Sequence, residues 1–303
     1  MIRTVSLIAV LFLTMSAASQ TRAFAEDRDM NGAPAHLHLD KGAAHSASGS
    51  TSSNPLLLYK GGAVLHSSTT MAIFWGTQWN TPSFAGDKIN GIDLFFSGMN
   101  ASEYASTALE YGDTTGSITS SSLYLGHVID ATAAPNRALS TSSAVAEACK
   151  VVGNNPNPSA LYLIYTATGA GHVNYCAWHS WGTCSNGAPI QVAYMPNLDG
   201  LAGCDPQDAV TGHSQGLAAL ANVTAHELLE TITDPRGTGW VDSSGNENGD
   251  KCAWSFPITT SNPYGLSTLS NGTTWKLQME WSNAAYTAGT GLPNRSSQLG
   301  CIY

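Results

Sequence analysis

The sequence predicts an α/β (α+β) protein in which a mixed sheet packs against one long helix and is followed by a loop-rich, disulfide-stapled C-terminal extension. Short apolar or β-branched runs, each bounded by Gly, Pro, Asn or Ser, predict strands. Helix-like stretches lie between these runs. The predicted strands cover residues 56–59, 70–75, 123–129, 160–166 and 190–195, and the predicted helices cover 88–99, 102–111, 142–151 and 214–233.

The first 25 residues have the features of an export signal. Arg3 provides a positive start, residues 5–13 form an apolar run, and residues 23–25 (AFA) fit a small-x-small cleavage site. The apolar run is about half as long as a bilayer span requires, so no membrane span is expected. We therefore expect a secreted protein whose mature chain begins near Glu26.

Residues 26–54 are rich in Ala, Gly, Ser, His and Asp and have no apolar periodicity, which is typical of a disordered leader or pro-segment. The segment contains His36, His38 and His45. A His-x-His pair can bind a metal, but a solvated tail is the more ordinary interpretation. The composition then becomes globular, and we expect one domain over residues 55–255 with an extension over residues 256–303 packed on it.

Charge excludes several classes of partner. The formal net charge is −9, and no run of Lys and Arg occurs anywhere in the chain. Nucleic acids and anionic lipids both require clustered basic residues, so neither is expected as a partner. We expect a monomer.

An even number of cysteines in an exported chain favours disulfides over free thiols. None of them forms a C-x-x-C pair, so a cysteine zinc site is not expected. The short spacing of Cys176 and Cys184 suits a hairpin staple, and Cys252 with Cys301 would hold the C-terminus. The six cysteines are Cys149, Cys176, Cys184, Cys204, Cys252 and Cys301.

The longest predicted helix carries the pentapeptide HELLE, from His226 to Glu230. His226 and Glu230 are one turn apart on one face, as two ligands of a single metal must be. Glu227 lies about 100° around the helix, where its carboxylate can reach a water molecule rather than the metal. This is the pattern of the zincin helix, in which the intervening Glu takes the proton of the attacking water. The alternative is an ordinary solvated helix face.

Acidic residues are concentrated after this helix in a chain with only 11% charged residues, which favours a bound cation. Helical spacing would place Asp234 about 12 Å from His226 along the axis, so Asp234 can share an ion only if the last turn unwinds. Residues 242–250 could alternatively form a calcium loop, and the two ions could coexist. The acids in question are Asp234, Asp242, Glu247 and Asp250.

Glu247 follows Glu230 by seventeen residues, within an Asn-Glu pair that precedes Asp250. This arrangement resembles the zincins of the gluzincin type, whose third ligand is a downstream Glu. The resemblance implies a zincin-like sheet, Glu247 as the third zinc ligand and Asp250 as an acceptor that orients His226. Five residues are candidates to stabilise an oxyanion, and the sequence does not select among them: His172, His179, His213, Tyr264 and Tyr286.

Four blocks resemble the secreted phosphate-induced, or EXORDIUM-like, proteins. They are YKGGAVL at residues 59–65, AIFWG at 72–76, CAWH at 176–179 and ITDP at 232–235. The resemblance covers most of residues 56–255 and implies secretion and a shared overall fold. The plant members of that family are extracellular growth-related proteins.

The sequence therefore predicts a secreted zinc-dependent endopeptidase that acts on peptide or protein substrates. Zinc would be held by His226, Glu230 and Glu247, and Glu227 would activate the water. The strand at 190–195 would offer its edge to an extended peptide. The alternative is a non-catalytic extracellular EXORDIUM-like protein with a structural calcium or zinc site.

Overall fold

The strands of the protein are mostly short, and the longer ones collect in one sheet. The computed structural model describes residues 35–47 and 55–303. Within these ranges the strands are β1 (His36–Leu39), β2 (Leu58–Tyr59), β3 (Ser68–Trp75), β4 (Gly112–Asp113), β5 (Gly116–Ser117), β6 (Ser122–Asp130), β7 (Ala160–Thr166), β8 (Tyr175–Thr183), β9 (Pro189–Met195), β10 (Trp240–Val241), β11 (Ser267–Thr268), β12 (Thr274–Trp275), β13 (Glu280–Trp281) and β14 (Cys301–Ile302).

The central sheet is mixed and has six strands in the order β1-β8-β9-β7-β3-β6. β9, β7, β3 and β6 run parallel to one another, β8 is antiparallel to β9, and β1 is antiparallel to β8. The remaining strands form two-stranded ribbons: β2 with β10, β4 with β5, β11 with β12 and β13 with β14. The α/β class predicted from the sequence is confirmed.

Helices cover both faces of the sheet. α3 and α5 pack on one face together with the C-terminal ribbons, and α4 packs on the other. No helix in the described ranges is long and apolar enough to cross a membrane. The helices are α1 (Lys41–Ala47), α2 (Pro82–Ala85), α3 (Lys88–Met99), α4 (Thr141–Val151), α5 (Gln215–Thr233), α6 (Asn248–Lys251) and α7 (Asn283–Ala288).

The long helix α5 is buried along almost its whole length. Its first turn is capped by Ser214, whose side chain accepts a hydrogen bond from the Leu217 amide at 3.1 Å. It ends at Thr233 because the residue before Pro235 resists the α conformation. Every residue from Gly216 to Thr233 is buried, since the sheet covers one side and the C-terminal region the other. The interpretation of HELLE as a solvated face is therefore wrong.

Most predicted elements are present, with two differences. The strand predicted at 56–59 is reduced to β2, and the helix predicted at 102–111 is only a 3-10 turn at Ala105–Ala108. Local side-chain bonds compete with the helix there: the Ser102 hydroxyl accepts from the Ala105 amide at 3.0 Å, and the Thr107 hydroxyl donates to the Tyr104 carbonyl at 2.7 Å.

The sequence did not predict β8, because polar and apolar residues do not alternate along it. This is expected for a strand that is covered on both faces. β8 also corrects the prediction that residues 190–195 offer a free edge. β9 lies between β7 and β8, so the edge on this side of the sheet belongs to β8, and β1 covers it.

The prediction of a disordered leader is wrong for residues 35–47, which form β1 and α1. These residues are ordered by pairing with β8, a contact that local periodicity cannot reveal. The predictions for residues 1–34 and 48–54, including the signal peptide, lie outside the described residues.

The cysteines form three disulfides: Cys149–Cys184, Cys176–Cys204 and Cys252–Cys301. The pairing of Cys252 with Cys301 is confirmed, and that of Cys176 with Cys184 is wrong. Both of these cysteines belong to the β8 region, where eight residues of extended chain span about 26 Å, whereas bonded cysteines have Cα atoms within about 7 Å.

We expect the secreted protein to lack residues 1–25 and to contain no reactive thiol, because all six cysteines are paired. Alkylation without reductant, followed by mass spectrometry, should leave every cysteine unmodified and should show the new N-terminus. Alkylation of several cysteines would contradict the pairing.

Candidate metal centre

The HELLE residues lie in the buried middle of α5. His226, Glu227 and Glu230 each have at most 1% of their surface exposed. The His226 Nε2 atom lies 3.0 Å from Glu230 Oε1, as expected for side chains one helical turn apart. Ionisable side chains at this depth require a partner, so the surroundings of these three residues determine what they can bind.

α6 brings Asp250 to the same point. The Asp250 backbone amide donates to Glu230 Oε1 at 2.9 Å, and the Asp250 Oδ1 atom lies 3.9 Å from His226 Nε2. His226, Glu230 and Asp250 therefore offer ligand atoms that all lie within 4.8 Å of one another. The second oxygen of Asp250 accepts from the Glu247 amide at 3.2 Å, which fixes the start of α6.

Glu247 belongs to a neighbouring group of ligand atoms. It is fully buried, and its Oε2 and Oε1 atoms lie 2.8 Å from His36 Nδ1 and 3.7 Å from His179 Nε2. The structure thus does not gather the predicted set of His226, Glu230 and Glu247 into one compact group. The two groups border each other, since His179 Nδ1 is 3.6 Å from Glu230 Oε2.

Three histidines from the sheet complete the cluster. His179 on β8 places Nδ1 3.0 Å from Glu227 Oε2. His38 on β1 stacks on His226 with ring centroids 3.8 Å apart, and both rings are fully buried. His36 lies two residues before His38, on the same side of the strand. The His-x-His spacing was the only signal for His36 and His38, and the sequence proposed His179 only among five oxyanion candidates.

The other four oxyanion candidates lie away from the cluster. His172 and Tyr264 are exposed, His213 stacks on Trp275, and Tyr286 packs on Trp281. None of the four occurs in a group of possible metal ligands among the described residues. His179 is therefore the one candidate of the five that the structure places at the site.

Gln278 supports His226 from the side of the C-terminal extension. Its side-chain amide contacts His226 Nδ1, and its backbone amide donates to Asn222 Oδ1 at 2.9 Å. A carboxamide carries both a donor and an acceptor. The Gln278 Nε2 atom faces His226 Nδ1, and the Gln278 Oε1 atom accepts from the Trp254 amide at 3.3 Å, so the carboxamide holds the His226 ring from this side.

A hydrogen-bonded chain fixes α6 against α5. Thr233 donates to Asn248 Oδ1, Asn248 Nδ2 donates to Glu280 Oε2, and the Tyr104 hydroxyl donates to Glu280 Oε1, each at 2.8 Å. Burial raises the pKa of Glu280 well above its usual range. None of these supporting residues was predicted, because they come from distant parts of the chain and share no motif.

Asp234 and Asp242 have structural roles. Asp234 follows the last residue of α5, and its Oδ1 accepts from the Gly239 amide at 2.7 Å. Asp242 accepts from the Asn246 amide at 3.0 Å and from Lys251 Nζ at 3.1 Å. A lysine ammonium group beside the Asp242 carboxylate satisfies the charge that a calcium ion would otherwise neutralise.

Burial dominates the electrostatics of the site. It lowers the pKa of His226 to about 3 and raises the pKa of Glu230 to about 8. Neutral imidazole is the form that binds metals, and a divalent cation would favour the ionised carboxylates. Burial also lowers the pKa of the neighbouring imidazoles and raises the pKa of the neighbouring carboxyls, namely His38, His179, Glu227, Glu247 and Asp250.

The donor atoms of the cluster fit a metal ion. Eight buried nitrogen and oxygen atoms of the cluster have no hydrogen-bond partner among the described residues, and each such atom costs about 1–3 kcal/mol. Imidazole nitrogen and carboxylate oxygen are ligands that zinc and related divalent metals accept. The atoms are Nε2 of His36, Nδ1 and Nε2 of His38, Nε2 of His179, Nε2 of His226, Oε1 of Glu227, and Oε1 and Oε2 of Glu247.

No protein-family model matches the sequence, and no similar protein was found among curated sequences or among solved structures. The buried cluster of histidines and carboxylates on α5, α6, β1 and β8 is therefore the feature that points to a function.

Proposed function

We propose that the protein is a secreted zinc-dependent endopeptidase. One observation carries the proposal: the histidine and both glutamates of HELLE lie buried in groups of His and acidic side chains whose ligand atoms are within 4.8 Å of one another, and several of these atoms have no hydrogen-bond partner among the described residues. Three disulfides fit an oxidising compartment and therefore an extracellular location.

His226 and Glu230 would hold the zinc, and Asp250 lies beside them. Glu247, the third ligand that the sequence favours, lies in the neighbouring group and would have to turn toward the ion to bind it. Bound zinc polarises a carbonyl group and lowers the pKa of water, which makes water a nucleophile at neutral pH. The remaining task of the protein is to remove the proton of the attacking water and deliver it to the leaving amine.

Glu227 is the residue placed for that proton transfer. Its Oε2 atom is held 3.0 Å from His179 Nδ1, while its Oε1 atom has no partner among the described residues. One oxygen is thus oriented and the other is free to accept a proton. His179 would act as a positioning residue for Glu227, since it contacts the carboxylate.

The site is consistent with a gluzincin-type HExxE peptidase related to the EXORDIUM-like proteins. The alternative is a non-catalytic extracellular EXORDIUM-like protein whose cluster holds a structural zinc or calcium ion. The closure of the cluster by β1 favours that alternative, because a structural metal site has no open position.

Metal removal and replacement test the proposal. We expect chelator-treated protein to bind one equivalent of zinc and to melt at a higher temperature with zinc than without it. Zinc at a hundred times its dissociation constant would add about 2.7 kcal/mol to the free energy of unfolding. Calcium should give no such shift.

Casein cleavage should appear only with zinc, and it should be measured on the full chain and on protein from which residues up to 54 have been cut. Zinc binding without hydrolysis by either form would support the structural-ion alternative. Absence of zinc binding would overturn the peptidase, and absence of both zinc and calcium binding would overturn both functions.

A further inference from the structure

We infer that β1 is a built-in inhibitor, which takes the place of an extended peptide substrate on the outer edge of β8 and fills the metal pocket with His36 and His38. The inference rests on the proposed function and adds the position of the peptide and the regulation of the site.

The backbone of β1 occupies the only edge beside the cluster in the described part of the sheet. His36 lies opposite His179, Leu37 opposite Trp178 and His38 opposite Ala177, in antiparallel register. Peptides commonly bind by adding a strand to such an edge, with alternate side chains entering pockets. While β1 is paired there, the edge of β8 beside His179 is closed to any other strand.

The side chains of β1 close the pocket as well as the edge. His38, His226 and Glu227 offer ligand atoms within 4.8 Å of one another, and the His38 ring stacks on that of His226 at 3.8 Å, so His38 occupies space beside both the histidine that would bind the metal and the proton acceptor. A catalytic zinc site keeps one position open for water, and an imidazole in that position makes the site a closed one. His36, 2.8 Å from Glu247 Oε2, occupies the adjoining space.

The segment is held by non-covalent contacts that a cut can release. All three disulfides join cysteines from Cys149 onward, so none ties down residues 35–47. Outside the β8 ladder, the Trp254 indole donates to the Leu39 carbonyl at 2.9 Å, and Lys41 donates to the Asp205 carbonyl. One proteolytic cut between residues 47 and 55 would therefore free the segment from the rest of the chain.

The test uses the full chain with a site-specific protease sequence inserted between residues 50 and 51, so that the protein folds before it is cut. Zinc content, the visible spectrum of the cobalt-substituted protein and casein hydrolysis are measured before cutting and after removal of the released segment. We expect hydrolysis to rise at least tenfold and the cobalt spectrum to change as imidazole leaves, while one equivalent of metal remains bound.

Two further measurements test whether His36 and His38 themselves cause the inhibition. In the uncut chain, the double variant H36A/H38A should raise hydrolysis. The variant His127→Ala should not, because His127 lies on β6 at the other edge of the sheet, where it pairs with Asp93 of α3. A synthetic peptide of residues 35–47 should inhibit the cut protein and restore the original cobalt spectrum, and the same peptide with Ala at positions 36 and 38 should do neither.

The outcomes separate the two claims. Equal hydrolysis before and after cutting would overturn the inhibitor and leave the peptidase standing. Loss of the metal on cutting would show that His36 and His38 are permanent ligands, and this result would also overturn the role of β1 as an inhibitor. If no form hydrolyses casein but the peptide still binds and restores the cobalt spectrum, the proposed function fails while the docking of β1 stands. Failure of the peptide to bind overturns the docking itself.

Discussion

Replacement of Glu227 by Gln is expected to abolish peptide hydrolysis while the protein keeps its zinc and its fold. Gln has the same size as Glu and can still contact His179 Nδ1, which lies 3.0 Å from the carboxylate. It cannot accept the proton of the attacking water, and loss of a general base costs about 10²–10⁴-fold in rate.

The measurement is casein hydrolysis by the form cut after residue 54, together with zinc content and circular dichroism. Glu103→Gln is a matched control, because Glu103 is an exposed acid away from the cluster. Hydrolysis near the wild-type rate in the Glu227 variant would end the peptidase hypothesis, since the other carboxylates near His179, those of Glu230 and Glu247, lie farther from it, at 3.6 and 3.7 Å, and are placed as metal ligands.

Loss of the Glu247 carboxylate is expected to lower zinc affinity by orders of magnitude. Glu247 is fully buried, and the nearest groups to its oxygens are imidazole nitrogens, His36 Nδ1 at 2.8 Å and His179 Nε2 at 3.7 Å, so a cation would balance its charge. Asp250 differs in that one oxygen already accepts from a backbone amide and its side chain is 27% exposed. We therefore expect Asp250→Ala to cost only about 10–100-fold.

Zinc titration of Glu247→Ala, Asp250→Ala and Asp234→Ala in parallel tests this ordering. Asp234→Ala is the control with the same charge change, and it should disturb the end of α5 while zinc remains bound. If Asp250→Ala lowers the zinc affinity more than Glu247→Ala does, the third ligand is Asp250, which lies nearer to His226. An empty site in Asp234→Ala would mean that α5 unwinds after Glu230 when metal binds.

The sequence by itself determined the α/β class, the helix that carries HELLE and the sharing of one face by His226 and Glu230. All three depend on local spacing: a helix is built from bonds between residues four apart, so its register can be read from the chain. The concentration of acids after α5 likewise predicted a cation site, and two of these acids, Glu247 and Asp250, lie in groups that could hold a metal ion.

The tertiary structure decided which groups surround that helix. β8 and β1 form through pairing between distant segments, and such pairing leaves no signal in the local pattern of either strand. His36, His38 and His179 reach α5 only through the sheet, and Gln278 reaches it only through the packing of the C-terminal extension. Because the pocket is assembled from non-local contacts, the closure of the site by β1 and the division of the carboxylates into two groups could be learned only from the fold.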